Sequence, residues 1–230
     1  MIEVLPAIIP KSFVDLKDTL AKVVPFVKLV QIDVTDGKFT GEASWPYKGI
    51  TDPAFQSILR EEEGFPFWED IDFEADLMVL EPEKKVWDWI KAGAKSVIIH
   101  IETTNNIIEL VREIKNKFPK DGIGGVDVGV AINTTTPNDK IYSVLPKIDF
   151  VQFMGIERIG FQGQPFDERV LDKISDVRGK FPDITIAVDG AVNLNTAHRL
   201  VSAGANKLVS GSAILESQNI PDAIDFLKNI

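Results

Sequence analysis

Cysteine is absent from this chain of 230 residues. Its absence excludes disulfide bonds, thiolate nucleophiles and zinc sites built on sulfur ligands. Basic residues are outnumbered, with 25 Lys and Arg against 35 Asp and Glu, so the formal net charge is −10. Without a basic field, neither a nucleic-acid backbone nor an anionic membrane surface is expected as a partner. The sequence also has no basic and apolar leader and no apolar run near the roughly 18 residues that cross a bilayer, so we expect a soluble cytoplasmic protein.

Short apolar runs rich in Val and Ile alternate with longer segments of helical period. This alternation is typical of strand–helix units around a parallel sheet. Eight runs are predicted as strands: Val4–Ile9, Lys28–Val34, Ile71–Val79, Ser96–Ile101, Val126–Asn133, Phe150–Met154, Ile184–Asp189 and Lys207–Ser212. Eight equivalent units favour a single-domain (β/α)8 TIM barrel over residues 1–230, because an open doubly wound sheet more often has about five or six strands.

Amphipathic segments between these runs are predicted as helices: Ser12–Val24, Pro82–Ala92, Asn105–Phe118, Phe166–Phe181 and Leu194–Ala203. Ser12 is a candidate N-cap of the first segment. Asp167 and Glu168 place negative charge at the start of the fourth, where it complements the helix dipole. Asn193 or Asn195 is a candidate cap of the fifth.

The one long irregular stretch covers residues 38–70. We interpret it as an enlarged loop after the second strand, with a short helix near Pro53–Glu62. It is rich in aromatic residues: Trp45, Tyr47, Phe65, Phe67 and Trp68. These could form an apolar lid or a subunit contact, or they could pack the loop onto the barrel. Packing is the expectation for residues 65–68, and the role of Trp45 is left open.

Three carboxylates from different strands are predicted to converge at one end of the barrel, the end where TIM barrels place their active sites. Alternation puts Gln31 and Asp33 on one face of the second strand, turns Asp76 inward on the third, and ends the seventh at Asp189. Two carboxylates about 4 Å apart repel by roughly 4 kcal/mol at an effective dielectric constant near 20, so the cluster needs a cation or a shared proton. Each aspartate alone could instead cap the helix that follows its strand.

Small residues follow the last three strands and suggest a phosphate cradle. The candidates are Gly160, Gln162 and Gly163 after the sixth strand, Gly190 and Ala191 after the seventh, and Gly211 and Ser212 after the eighth. Small side chains let backbone N–H groups approach an anion, and the loops after strands seven and eight commonly bind phosphate in such barrels. A glycine after a strand can also serve only as a turn.

A set of short motifs in a fixed order runs over nearly the whole chain. It consists of residues 6–9 (PAII), 32–39 (IDVTDGKF), 76–79 (DLMV), 100–102 (HIE), 129–133 (GVAIN), 160–164 (GFQGQ), 188–192 (VDGAV) and 211–214 (GSAI). In these motifs the chain resembles the ribulose-phosphate 3-epimerase family.

The resemblance implies proton transfer at C3 of a 2-keto sugar phosphate, which interconverts D-ribulose 5-phosphate and D-xylulose 5-phosphate. Two aspartates act as acid and base from opposite faces of the substrate, and a divalent metal stabilises the enediolate. Asp33 and Asp189 match those aspartates. We also expect Met78, His100 and Met154, all near strand ends, to contact the substrate.

The chain departs from the family at the metal site, because Gln31 and Asp76 stand at the positions of the two metal-binding histidines. The resulting ligand set of Gln31, Asp33, Asp76 and Asp189 offers only oxygen in its carboxylates and amide carbonyl, which suits Mg²⁺ or Mn²⁺ better than Zn²⁺. Alternatively no metal binds, and Asp76 is protonated or turned away.

Other functions are left open at this point. Decarboxylases and aldolase-like synthases on related barrels use an Asp-x-Lys-x-x-Asp run, which residues 36–41 match only in part and after a different strand. A barrel that binds a phosphorylated metabolite without catalysis is the main alternative to a sugar-phosphate epimerase. Relatives are commonly dimers or hexamers, so a homo-oligomer is expected.

Overall fold

Eight parallel strands close into a barrel in which each strand pairs with its neighbours in sequence and β8 pairs with β1. The computed structural model describes residues 2–49, 52–161 and 163–230. The strands are β1 Glu3–Ile8, β2 Leu29–Thr35, β3 Asp72–Met78, β4 Ser96–His100, β5 Asp127–Ile132, β6 Phe150–Met154, β7 Thr185–Asp189 and β8 Lys207–Ser210. The predicted (β/α)8 barrel is confirmed, and the bounds of every predicted strand lie within two residues of the observed ones.

Helices surround the barrel: α1 Phe13–Val23, α2 Pro53–Leu59, α3 Val86–Lys91, α4 Ile107–Lys117, α5 Asp139–Tyr142, α6 Arg169–Lys180, α7 Ala197–Ala203, α8 Ser212–Leu215 and α9 Ile220–Lys228. Ser12 caps α1, since its hydroxyl accepts the N–H of Asp15 at 3.2 Å. The predicted asparagine cap of α7 is wrong. Thr196 occupies the cap position, because Asn193 turns its side-chain oxygen to the N–H of Asn195 instead.

The hydrophobic core lies between the outer faces of the strands and the inner faces of the helices. On α1, Leu16, Leu20 and Val23 are spaced by four and three residues and are fully buried against the barrel. A parallel strand that is covered on both faces is expected to have a continuous apolar sequence. β4 is such a strand, because it is buried along its whole length. Within the described ranges, no helix is long and apolar enough to cross a bilayer.

The segment between β2 and β3 is anchored by Trp45, which is 1% exposed. Its ring lies 5.3 Å from that of Phe55 and 6.0 Å from that of Trp89, centroid to centroid. Trp45 therefore packs the loop onto the barrel, as Phe65 does by stacking on Phe73 at 3.9 Å. Phe67 and Trp68 differ from the expectation for residues 65–68, because they are 36% and 65% exposed.

Candidate active site

Asp33 and Asp76 are direct register partners on the adjacent strands β2 and β3, while Asp189 is the last residue of β7. Each of the three contributes a carboxylate oxygen to a cluster whose oxygens all lie within 4.8 Å of one another. At this separation each ionised pair would repel by roughly 3 to 4 kcal/mol at an effective dielectric constant near 20. The predicted convergence of the three aspartates is confirmed, and none of them serves as an N-cap of a following helix.

Gln31 links two of these carboxylates. Its side-chain Nε2 donates to Asp33 Oδ1 at 2.8 Å and to Asp189 Oδ2 at 3.0 Å. Because both amide hydrogens are used, the amide fixes the two aspartates on opposite sides of a single group. The amide oxygen Oε1 of Gln31 is buried without a hydrogen-bond partner among the described residues.

Asp76 is held from the other side by two residues that are also fully buried. His100 Nε2 lies 3.1 Å from Asp76 Oδ1, and Gln152 Nε2 donates to Asp76 Oδ2 at 3.1 Å. Both oxygens of this carboxylate are therefore oriented by neighbours. Gln152 was missed in the sequence, although a polar residue two positions before Met154 in an apolar strand shares its inward face.

Burial and mutual repulsion shift the protonation of this cluster. Burial raises the pKa of Asp33 well above its usual range, and the charges of Asp189 and Asp76 add to the effect. Burial, followed by the charge of Asp76, raises the pKa of Asp189 to about 7. Burial opposes the charging of His100, but the charge and hydrogen bond of Asp76 leave its pKa above the ordinary value. Asp189 is thus poised to exchange a proton near neutral pH, and the pKa of Asp33 is raised for the same reasons, burial and the charges of its neighbours.

The cluster fits a divalent metal by the chemistry of its donors. Three buried carboxylates converge, and the partnerless oxygen of Gln31 belongs to the amide that already joins two of them. Turning that amide over would present a fourth oxygen to the carboxylates, and an ion between them would remove their repulsion. Hard cations such as Mg²⁺ prefer such all-oxygen sets.

Above the aspartates opens a cavity of about 230 Å³, and Asp33 and Asp189 form part of its wall. Met78 and Met154 line it as well. Six of the seven predicted phosphate-binding residues line the same cavity: Gly160, Gly163, Gly190, Ala191, Gly211 and Ser212. The seventh, Gln162, lies outside the described residues. The aspartates and the small-residue loops, which the sequence suggested as separate sites, therefore line one cavity.

Three of the predicted site residues do not line the cavity. Gln31, Asp76 and His100 are fully buried outside its wall, where Gln31 bonds to Asp33 and Asp189 and His100 bonds to Asp76. His100 meets Asp76 with one ring nitrogen and packs its ring against Phe39, with centroids 5.4 Å apart. Its position is that of a residue that orients Asp76.

The loops after β6 and β7 approach too closely for side chains. A Cβ on Gly155 would lie 2.1 Å from the carbonyl oxygen of Gly190, so only glycine fits there. Gly190 itself has φ 99°, in the left-handed region, and Ala191 follows with φ 53°. This turn carries the chain from Asp189 directly along the cavity wall.

Comparisons with known proteins agree with this architecture. The model of the ribulose-phosphate 3-epimerase family matches residues 3–215. The chain is similar to the ribulose-phosphate 3-epimerase of Bacillus subtilis, with 31% identity over 99% of both chains, and to that of Eremothecium gossypii, with 30% identity over 97% of this chain and 90% of the other. Among solved structures, a 3-hexulose-6-phosphate synthase has a TM-score of 0.66 at 19% identity over 100% of this chain and 99% of the other. KGPDC from Streptococcus mutans has a TM-score of 0.70 at 14% identity over 98% of this chain and 95% of the other. At such identities the structural neighbours indicate the fold alone.

Proposed function

The chain belongs to the ribulose-phosphate 3-epimerase family, and we propose that Asp33 and Asp189 move the proton at C3 of D-ribulose 5-phosphate to give D-xylulose 5-phosphate. The observation that carries this assignment is the pair of converging carboxylates, Asp33 and Asp189, in one cavity with the small-residue loops after β6, β7 and β8. Family membership makes the protein a sugar-phosphate epimerase, and the cavity supplies the residues for that reaction.

Inversion at a carbon requires proton transfer on two opposite faces. Asp33 belongs to β2 and Asp189 to β7, and β1 and β8 separate these strands around the barrel. A sugar lying between the two carboxylates presents one face of C3 to each. One carboxylate takes the proton and leaves an enediolate, and the other, in its protonated form, returns a proton to the opposite face.

Without a metal, the side-chain amide of Gln31 holds the two carboxylates in a fixed position relative to each other through its bonds of 2.8 and 3.0 Å. With the amide turned over to a metal, the same two carboxylates would be held by the shared ion. His100 and Gln152 give Asp76 the same kind of support. Fixed groups need little reorganisation during proton transfer, which lowers its barrier.

Gln31, Asp33, Asp76 and Asp189 are the residues that would hold a divalent metal, with Mg²⁺ or Mn²⁺ favoured over Zn²⁺ by their oxygen donors. The chemistry such an ion supplies is stabilisation of the negative charge on the enediolate oxygens. The residues themselves orient the sugar and carry the proton.

The remaining cavity residues bind the rest of the substrate. Gly190, Ala191, Gly211 and Ser212 take the phosphate through their backbone N–H groups, aided by Gly160 and Gly163 across the cavity. Met78 and Met154 give an apolar surface against the carbon chain. Both methionines are nearly fully buried, so they also exclude water from the reacting carbon.

Steady-state epimerisation of ribulose 5-phosphate, followed by proton NMR with Mg²⁺ or Mn²⁺ present, tests the proposal. Asp33→Asn and Asp189→Asn should each lower kcat by about a hundredfold or more, the usual range for general acid–base groups. Asp18→Asn, on the exposed side of α1, is the matched control and should keep full activity. Wild-type protein that binds the sugar but forms no xylulose 5-phosphate would contradict the proposal, as would full activity in either cavity variant.

A further inference from the structure

The cavity has an unbalanced charge for the ligand it is proposed to bind. Two carboxylates, Asp33 and Asp189, line it, and no Lys, Arg or His is among its lining residues in the described ranges. A phosphate monoester adds about 1.5 to 2 further negative charges at neutral pH. Among the described lining residues only backbone N–H groups can therefore offset the phosphate charge, and any charge on Asp33 or Asp189 weakens their hold on it.

Arg158 is the cation placed to offset that charge. It lies in the loop after β6, two residues before Gly160, and its guanidinium carbon stands 4.6 Å from the centroid of the Phe161 ring. Phe161 lines the cavity. The guanidinium therefore rests on a ring that belongs to the cavity wall, at a distance typical of cation–π pairs.

The charge of Arg158 is available because its acidic neighbour is already paired. Glu157 bonds to Arg169, which also forms an ion pair with Asp167 at 2.6 Å. Across residues 2–49, 52–161 and 163–230, no carboxylate lies within ion-pair distance of Arg158. The Arg158 side chain is exposed to solvent, so an anion in the cavity beside Phe161 can be approached from outside.

The loop that carries Arg158 is seated firmly at the mouth of the barrel. Gly160 packs so closely on Thr40, in the loop after β2, that a Cβ would lie 2.7 Å from the Thr40 Cβ. A Cβ on Gly41 would lie 3.1 Å from the Phe161 ring. These contacts hold the Phe161 ring between the loops after β2 and β6, next to Gly160 and Gly163 of the proposed phosphate site.

We propose that Arg158 is a substrate-binding residue that contacts the phosphate of the sugar phosphate from the rim of the cavity and so selects phosphorylated over unphosphorylated ketoses. The assignment rests on the proposed function for the identity of the ligand. Arg158 acts by charge and by stacking on Phe161, and it takes no part in proton transfer. Its contribution should therefore appear in binding and in KM, with kcat nearly unchanged.

The test compares Arg158→Ala and Arg158→Lys with wild type, by kinetics with ribulose 5-phosphate and by calorimetric titration with the same sugar phosphate. Arg158→Ala should raise both KM and Kd about tenfold, the order of one charge-assisted contact, with kcat within about twofold. Arg158→Lys, which keeps the charge and loses the planar stack, should fall between the two. Arg112→Ala, an exposed arginine of α4 paired with Glu109, is the control and should leave KM unchanged. Added salt should raise KM more steeply in wild type than in Arg158→Ala.

The results distinguish a failure of the role proposed for Arg158 from a failure of the epimerase assignment. Turnover with an unchanged KM in Arg158→Ala would overturn the role of Arg158 and leave the epimerase assignment intact. Binding that depends on Arg158 without turnover would uphold the role of Arg158 and overturn the assignment. Neither binding nor turnover in wild type would overturn both. A fall in kcat at constant KM would also overturn the binding role.

Discussion

Replacing Asp189 by asparagine is expected to stabilise the folded protein while it removes activity. The carboxylate is buried beside Asp33 and Asp76, and burial followed by the charge of Asp76 raises its pKa from 3.8 to about 7. An acid with a raised pKa binds its proton more tightly in the folded state than in the unfolded one. The free energy of unfolding therefore falls as pH rises from about 4 to 7, and the full destabilisation is present above pH 7.

The magnitude follows from the shift. About three pKa units at 1.36 kcal/mol each give roughly 4 kcal/mol for complete ionisation of Asp189 in the folded protein. Asparagine keeps an oxygen that can accept the bond from Gln31 but must also place an amide near Asp76, so we expect a net gain of about 1 to 3 kcal/mol. For a chain of this length that corresponds to a rise in Tm of roughly 3 to 10 °C.

The assay is urea unfolding of wild type, Asp189→Asn and Asp18→Asn at pH 8 and pH 4, with a chelator to remove bound cations. The advantage of Asp189→Asn should be largest at pH 8 and vanish near pH 4, whereas Asp18→Asn, on an exposed face, should follow wild type at both. Equal or lower stability of Asp189→Asn at pH 8 would refute the view that the aspartates repel one another in the folded state.

Three further predictions follow from other contacts. Burial raises the pKa of Glu74 to about 7 in spite of its pairing with Lys207 at 2.6 Å inside the barrel, so the ion pair does not offset the cost of burying its two charges. The double variant Glu74→Leu with Lys207→Met should therefore equal or exceed wild type in the free energy of unfolding in urea at pH 8; a double variant less stable than wild type by more than about 1 kcal/mol would contradict the reasoning. Asp176 accepts bonds from Asn138, Tyr142 and Lys180, which hold its pKa at about 2. Its stabilisation is present above the ordinary value of 3.8 and lost as pH falls toward 2, so Asp176→Asn should be less stable than wild type at pH 6 and equal to it near pH 2 in thermal melts. Mg²⁺ or Mn²⁺ should raise the Tm of wild type through the oxygen cluster, and Gln31→Leu with Asp76→Leu should abolish the rise; an equal rise in both proteins would place the ion elsewhere.

The barrel could be predicted because its strands follow a local rule. Runs such as residues 150–154 and 96–100 are short, apolar and β-branched or aromatic, and each is followed by a segment of helical period. Side-chain alternation then placed Asp33, Asp76 and Asp189 on inward faces, and the structure brings them together.

The hydrogen bonds within the cluster could not be predicted in the same way. The contacts of Gln31 with Asp189 and of Gln152 with Asp76 join residues 158 and 76 positions apart, so they depend on the register of strands around the closed barrel. His100 ends β4, so the sequence predicts that it contacts the substrate. Whether its ring points to Asp76 or into the cavity depends on its side-chain rotamer, which the strand pattern does not specify. The predicted asparagine cap of α7 is wrong for a local reason, because the Asn193 side chain accepts the N–H of Asn195 in a turn that precedes the helix.

Deuterium exchange at C3 tests most directly the claim that Asp33 and Asp189 act from opposite faces. Ribulose 5-phosphate and xylulose 5-phosphate would each be incubated in deuterated water with wild type, Asp33→Asn and Asp189→Asn, and the C3 proton followed by NMR. Two carboxylates on opposite faces predict that wild type exchanges the C3 proton of both sugars and interconverts them. Each variant should still exchange the C3 proton of only one epimer, a different epimer for each variant, with interconversion at least about a hundredfold slower than in wild type. Exchange of the same epimer by both variants, or interconversion by either variant at more than about a hundredth of the wild-type rate, would contradict the account.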